Sequence, residues 1–311
     1  MQPSDSREKD TFYLDWPEEQ AGDGKLFSRW AQPGSNICLD FHGDPVNAQL
    51  VVFSDGNHHM ALKDCLNLFL RKNKGLSGIF YATTPPGPIV NLLRTGGLQM
   101  GNLSIRVSPH VFISPPRVLD NLVAEGYMQT HKPFMRNRGS VLLVKKGNPK
   151  NISGVADLAQ KNLRLFLSNP ETETVSYRGY VDTLKGMAAG EEIELSFLAD
   201  GSGTGIVYGE RIHHREAPQA LADDRADVAI VYYHLALRYI RIFPALFEIV
   251  PLGGTAQEPQ PTSKNIISLT HAGIIGDGGS WGERFFRFLS TEPVSDIYAY
   301  HGLLRANEKN I

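Results

Sequence analysis

Three clusters carry residue types that can do chemistry. Ser54-Asp55-Gly56-Asn57-His58-His59 sets a hydroxyl, a carboxyl, a carboxamide and two imidazoles close together. Thr83-Thr84 adds paired hydroxyls, and Tyr232-Tyr233 adds paired phenols. Imidazole with carboxylate suits zinc, nickel or copper. Hydroxyls, phenols and amides instead suit a polar ligand held by hydrogen bonds. A third reading makes Asp55 a helix N-cap and the histidines ordinary polar residues. The residues alone leave all three open. Adjacent helical residues point apart, so His58 and His59 reach one metal together only if the segment is still a turn. His110, His213, His214 or His234 would then complete the site.

These clusters follow short apolar runs. Leu50–Phe53, Gly78–Ala82, Val111–Ile113, Ser140–Val144, Leu163–Leu167, Ala226–Tyr233 and Phe247–Leu252 read as strands, and Ile266–Ile275 is strand-like. They are too short for helices and read as strands buried on both faces. Helical spacing recurs between them: His58–Lys72, Pro88–Arg94, a segment through Leu119 and Leu122, Ser153–Leu158, Tyr177–Leu184, His234–Ile242, Trp281–Leu289 and Val294–His301. The alternation predicts an α/β fold. In open α/β sheets ligands sit beyond the carboxyl ends of the strands. Ser54, Thr83 and Tyr232 stand at or just past such ends. Gly253–Lys264 reads as a surface excursion.

Composition narrows the function classes. The chain has 311 residues, a formal charge of −2, 41% hydrophobic and 21% charged residues, an ordinary globular balance. Without a basic excess, nucleic acid is not an expected partner. No apolar stretch approaches the roughly 18 residues of a membrane helix, so direct membrane insertion is not expected. Cys38 and Cys65 form neither a redox pair nor a zinc spacing, and Cys65 reads as a small core residue. The Gly-rich run Asp200–Gly205 lacks a Walker Lys-Ser/Thr pair and reads as a flexible loop. His213-His214 reads as a solvated helix start. The polar N-terminus lacks the basic-then-apolar layout of a signal peptide. A complete chain would therefore be cytoplasmic, and one whose leader was removed would be periplasmic or extracellular.

Six segments in order resemble the molybdate-binding branch of the periplasmic-binding-protein family, type II topology. They are Val51-Val52-Phe53-Ser54, Asn137–Pro149, Ile152–Ala159, Leu167–Glu171, Ala226–Tyr232, and Phe285–Ser290 with Tyr300–Leu303. The resemblance spans roughly Leu50 to Leu304. It implies two α/β lobes joined by a hinge with a ligand in the interlobe cleft. Residues 1–47 would be an N-terminal extension, 48–137 with 265–311 lobe 1, and 138–264 lobe 2 including the return hinge. It further implies the substrate-binding component of an ABC transporter, with no catalytic residues and a membrane transporter as partner. The ligand would be held by Ser54, Thr83 or Thr84, backbone N–H groups at Thr174 or Val175, and Tyr232 or Tyr233. Helix N-termini suit anions.

The sequence departs from that family at the first loop, where Asp55, Asn57, His58 and His59 replace small uncharged residues. An ionised Asp55 accepts only and repels an oxyanion. Pro85-Pro86 removes two N–H donors from the second loop. The expected ligand is thus a small ion, either an oxyanion such as molybdate or a transition metal at His58 and His59. No other cofactor is assigned. The alternative is an enzyme using the same cleft, with Asp55, His58 or His59 as acid–base or metal-ligating groups.

Overall fold

Short apolar runs flanked by helices set the architecture, because a strand buried on both faces needs a helix over each. The computed structural model describes residues 40–100, 103–160, 162–198, 205–210 and 212–307. Among these the chain forms two compact units: unit 1 from residues 40–138 and 267–307, unit 2 from Gly139–Ile266.

Unit 1 opens with β1 (Phe41–His42), β2 (Leu50–Ser54), α1 (His59–Lys72), β3 (Ile79–Ala82) and α2 (Pro86–Thr95). The hairpin β4 (Leu98–Met100) and β5 (Leu103–Ile105) precedes β6 (Val111–Ser114), α3 (Pro116–Ala124) and β7 (His131–Arg136). Unit 2 contains β8 (Ser140–Lys145), α4 (Val155–Gln160), β9 (Leu165–Leu167), α5 (Thr174–Gly190), β10 (Ile206–Tyr208), α6 (His213–Ala222), β11 (Val228–Tyr232), α7 (Tyr233–Ile242) and β12 (Phe247–Val250). The chain then returns to unit 1 with β13 (Leu269–Ile274), α8 (Gly279–Phe288), α9 (Glu292–Tyr300) and β14 (Leu304–Arg305).

The sheet of unit 1 has the order β1-β3-β2-β6-β13-β7-β14. Its β3, β2 and β6 are parallel, so their carboxyl ends share one edge. Period-2 alternation divides its core between two faces. Leu50, Val52, Val111 and Ile113 pack with Leu62, Leu66 and Phe69 of α1 and Phe285 of α8. Val51, Phe53 and Phe112 pack with Ile89 and Leu92 of α2 and Leu119 and Leu122 of α3. The buried positions of α1 fall at helical spacing, which gives the helix one apolar stripe.

Unit 2 has the order β10-β9-β11-β8-β12, with β10, β9 and β11 parallel. Antiparallel β8 sets Ser140 opposite Tyr232, so the start of β8 shares the edge where the other three strands end.

The chain passes between the units after Arg138 and after Ile266. One asparagine ties the two passing segments on each side. In unit 1, Asn137 N donates to Ser268 O at 3.1 Å, and its Oδ1 accepts from Ser268 N at 3.0 Å. In unit 2, Asn265 Oδ1 accepts from Ser140 N at 2.7 Å, and its Nδ2 donates to Ser140 O at 2.8 Å. Asn265 and Ile266 therefore stay with unit 2, whereas the sequence reading returns the chain at 264. Gly139 sits at φ +75°, and a Cβ there would lie 2.7 Å from Asn265 Oδ1.

Several boundaries differ from the sequence reading. The strand expected through Tyr233 ends at Tyr232, because Tyr233 starts a helix. The helix expected from His58 begins at His59, after a 3-10 turn over Gly56–His58. β1 lies within the stretch read as an N-terminal extension and pairs antiparallel with β3. The polar start of β7, with Pro133, hid that strand. Residues 200–204 and 1–39, including Cys38, lie outside the described residues.

Asn265→Ala is expected to strand the buried Ser140 backbone groups and destabilise the protein by about 1–3 kcal/mol. Denaturant titration monitored by circular dichroism checks this, and an unchanged midpoint would refute it.

Candidate functional site

Each sheet gathers polar groups at the edge where its parallel strands end. In unit 1 these are Thr83 and Thr84 after β3, Ser54 and Asp55 at β2, and Ser114 closing β6, all buried. In unit 2 they are His213 after β10, Ser168 after β9, Tyr232 ending β11 and Ser140 starting β8, also buried.

A chain of hydrogen bonds fixes Ser54. His58 Nδ1 lies 2.9 Å from Tyr298 Oη, and His58 Nε2 lies 2.9 Å from Ser54 Oγ. Ser54 Oγ donates to Asp55 O at 3.1 Å. Since the Ser54 proton points to that carbonyl, Ser54 accepts from His58 Nε2–H, and Nδ1 accepts from Tyr298. Burial holds the Tyr298 phenol well above its ordinary pKa, so it remains a donor.

Both ring nitrogens of His58 thus face hydroxyls. His59 Nδ1 lies 2.9 Å from Gly56 O. Of the histidines named as completing a metal site, His110 sits at the opposite end of β6 from Ser114, where Nδ1 accepts from Val51 N at 2.9 Å. Among the described residues, no group of three or more His, Cys, Asp or Glu is placed to hold a metal.

Asp55 does act as a cap, accepting from Asn57 N at 3.1 Å. Its carboxyl is buried, and desolvation pushes its pKa up to about 6 against the one lowering hydrogen bond. It is 3.9 Å from His58 Nε2, beyond hydrogen-bond distance. Thr83 Oγ1 lies 3.2 Å from His42 Nε2, on β1 within the stretch read as an N-terminal extension. Thr84 is followed by Pro85 and Pro86, and Ser114 by Pro115 and Pro116, so α2 and α3 each begin with a proline pair.

In unit 2, Tyr232 packs its ring 4.9 Å from Tyr180 and stacks on His234 at 5.8 Å. Its hydroxyl lies close over Gly179 of α5. Tyr233 points elsewhere: its hydroxyl donates to Gln257 O at 3.1 Å. Thr174 Oγ1 donates to Pro170 O at 3.0 Å. At the same helix start, burial raises Glu173 to about 7, and Glu173 Oε2 accepts from His213 N at 3.0 Å.

The most informative groups are three serines the sequence reading did not single out and His213, which it read as a solvated helix start but which is buried. Ser114 Oγ, Ser140 Oγ and Ser168 Oγ are buried without a hydrogen-bond partner among the described residues, as is Nε2 of His213. The signal for the serines was present. Each is the polar residue bounding an apolar run, as in Val111-Phe112-Ile113-Ser114 and Leu165-Phe166-Leu167-Ser168.

The fold is that of two-lobed periplasmic binding proteins. The substrate-binding domain of a putative molybdenum ABC transporter from Clostridium difficile superposes with a TM-score of 0.61 at 14% identity, covering 83% of this chain and 99% of that one. The periplasmic molybdate-binding protein of Azotobacter vinelandii gives 0.57 at 16%, covering 82% and 99%. PEB3 bound to L-phospholactate gives 0.58 at 15%, covering 83% and 100%. No curated protein sequence matches the chain.

Residues 50–304 match the family of bacterial extracellular solute-binding proteins, and the chain belongs to that family. It is a solute-binding protein rather than an enzyme. The family gives no support to the cytoplasmic alternative. Among the described residues no helix is long and apolar enough to cross a membrane.

Asp55 also sets a pH dependence of stability. An acid whose pKa rises on folding from 3.8 to about 6 loses stability as pH climbs through that window and levels off above it. The loss is on the order of 3 kcal/mol. Asp55→Asn is expected to remove it, raising Tm at pH 8 but not at pH 3. Equal shifts at both pH values would refute the assignment.

Proposed function

We propose that this protein captures a small tetrahedral oxyanion at strand-end hydroxyls and presents it to an ABC transporter. The observation that carries the reading is the set of buried, unpartnered hydroxyls of Ser114, Ser140 and Ser168. Leaving a buried hydroxyl unpaired costs about 1–3 kcal/mol, and a ligand oxygen accepting from it recovers that cost. Thr84, Tyr232 and backbone N–H groups at the start of α5 add donors, and helix starts favour anions. The neighbours named for molybdenum, molybdate and L-phospholactate agree with a tetrahedral centre.

The engaged nitrogens of His58 argue against the transition-metal reading. Burial pushes Asp55 up to about 6, so its carboxyl is neutral and able to donate to an anion only below that pH.

Calorimetry with molybdate, tungstate, sulfate and phosphate tests the reading, with elemental analysis of the purified protein. Binding of at least one oxyanion is expected. Ser168→Ala is expected to weaken it by roughly tenfold or more while raising the Tm of the ligand-free protein, since it removes an unpaired polar group. Bound zinc, nickel or copper that disappears in His58→Ala, with no anion binding, would overturn the proposal.

A further inference from the structure

The edge of unit 2 holds an acceptor as well as donors. His213 is 2% exposed, and its ring is stacked on Phe166 at 5.5 Å and tilted against Tyr180 at 4.9 Å. The backbone of Phe166 makes a hydrogen bond to this ring that favours its protonated form, so the ring donates to the Phe166 carbonyl. Because Nε2 has no partner, Nδ1 makes that bond. Nδ1 therefore carries the proton, and Nε2 presents a buried lone pair. Burial pushes the ring's pKa down to about 3, which keeps the imidazole neutral across the physiological range.

Strand order places His213 in a row of polar residues. Adjacent strands β10, β9, β11 and β8 present His213, Ser168, Tyr232 and Ser140 in succession. Serine hydroxyls can turn to donate to an oxyanion. A neutral imidazole with Nδ1 engaged cannot: toward a fully deprotonated oxygen, Nε2 offers only lone-pair repulsion. Asp55 repeats the pattern in unit 1, for when ionised it too only accepts.

We propose that His213 accepts a hydrogen bond from the bound solute, and that the solute is an oxyanion that retains an O–H group at neutral pH. This rests on the oxyanion reading, keeps its anionic ligand and adds the requirement for an O–H group. Hydrogen phosphate and 2-hydroxycarboxylates carry such a group; sulfate, molybdate and tungstate do not. A site that must pair a buried acceptor rejects analogues lacking the proton, because binding them leaves the acceptor unmatched.

The test combines calorimetry at pH 7.5 with 15N NMR of histidine-labelled protein. The probes are inorganic phosphate, L-lactate, sulfate and molybdate. Phosphate or lactate is expected to bind at least tenfold more tightly than sulfate or molybdate, and to shift the His213 Nε2 resonance toward the hydrogen-bonded position. Phosphate against lactate decides whether the O–H belongs to the oxyanion or to a neighbouring carbon. His213→Phe keeps the ring packing and is expected to weaken the preferred anion by roughly tenfold without weakening sulfate. The NMR titration decides the matter on the native protein if that variant does not fold. Sulfate or molybdate binding as tightly as the O–H-bearing anions, with an unmoved Nε2 resonance, would overturn this inference and leave the oxyanion reading standing. If none of the four binds, the oxyanion reading fails as well.

Discussion

A polar atom removed from water needs a partner, and the partners missing from the strand ends organise the reading of this molecule. Sheet interiors here are satisfied by ladders and apolar packing, as expected for strands buried on both faces. At the edge where the parallel strands stop, the ladder ends and side chains take over. Ser54 resolves its own needs through His58 and Tyr298, which also ties the end of β2 to α9. Ser114, Ser140, Ser168 and His213 do not. The parallel topology therefore does two things. It buries the strands, and it collects their unsatisfied ends along one edge of each sheet.

Much of the fold was legible because its strands are unbroken apolar runs. Leu50–Ser54 and Val228–Tyr232 are buried at every position, so hydrophobicity alone located them. β7 was missed because its first half is polar and contains Pro133, a pattern that argues against a central strand. Helix starts shifted by a residue or two at prolines, where φ fits the first turn but the missing N–H disguises the onset.

The strand-end position of the candidate residues was legible in the sequence; the partners of their hydroxyls were not. Ser54, Asp55, Thr83, Thr84 and Tyr232 all lie buried at strand ends. What sequence spacing cannot give is where each hydroxyl proton points. Ser54 and Thr174 look like ligand donors by position, yet each donates to a backbone carbonyl. Tyr232 and Tyr233 look equivalent in sequence, but the strand-to-helix junction between them sends their hydroxyls to different places. Ser140 was hidden because it begins a strand. Only the antiparallel pairing of β8 with β11 brings that beginning to the edge where its neighbours end.

The paired prolines that open α2 and α3 have a thermodynamic effect separate from any contact they make. Each follows directly on a buried hydroxyl, Thr84 or Ser114. Proline fixes its own φ and restricts the residue before it to extended backbone. The two segments therefore have few conformations to lose, both on folding and when a solute arrives. Losing two N–H donors from the second loop is offset by this stiffness: the remaining hydroxyls are already oriented. In the proposed reading, recognition at unit 1 draws on rigidity established during folding, with little ordering left to be done at the moment of capture.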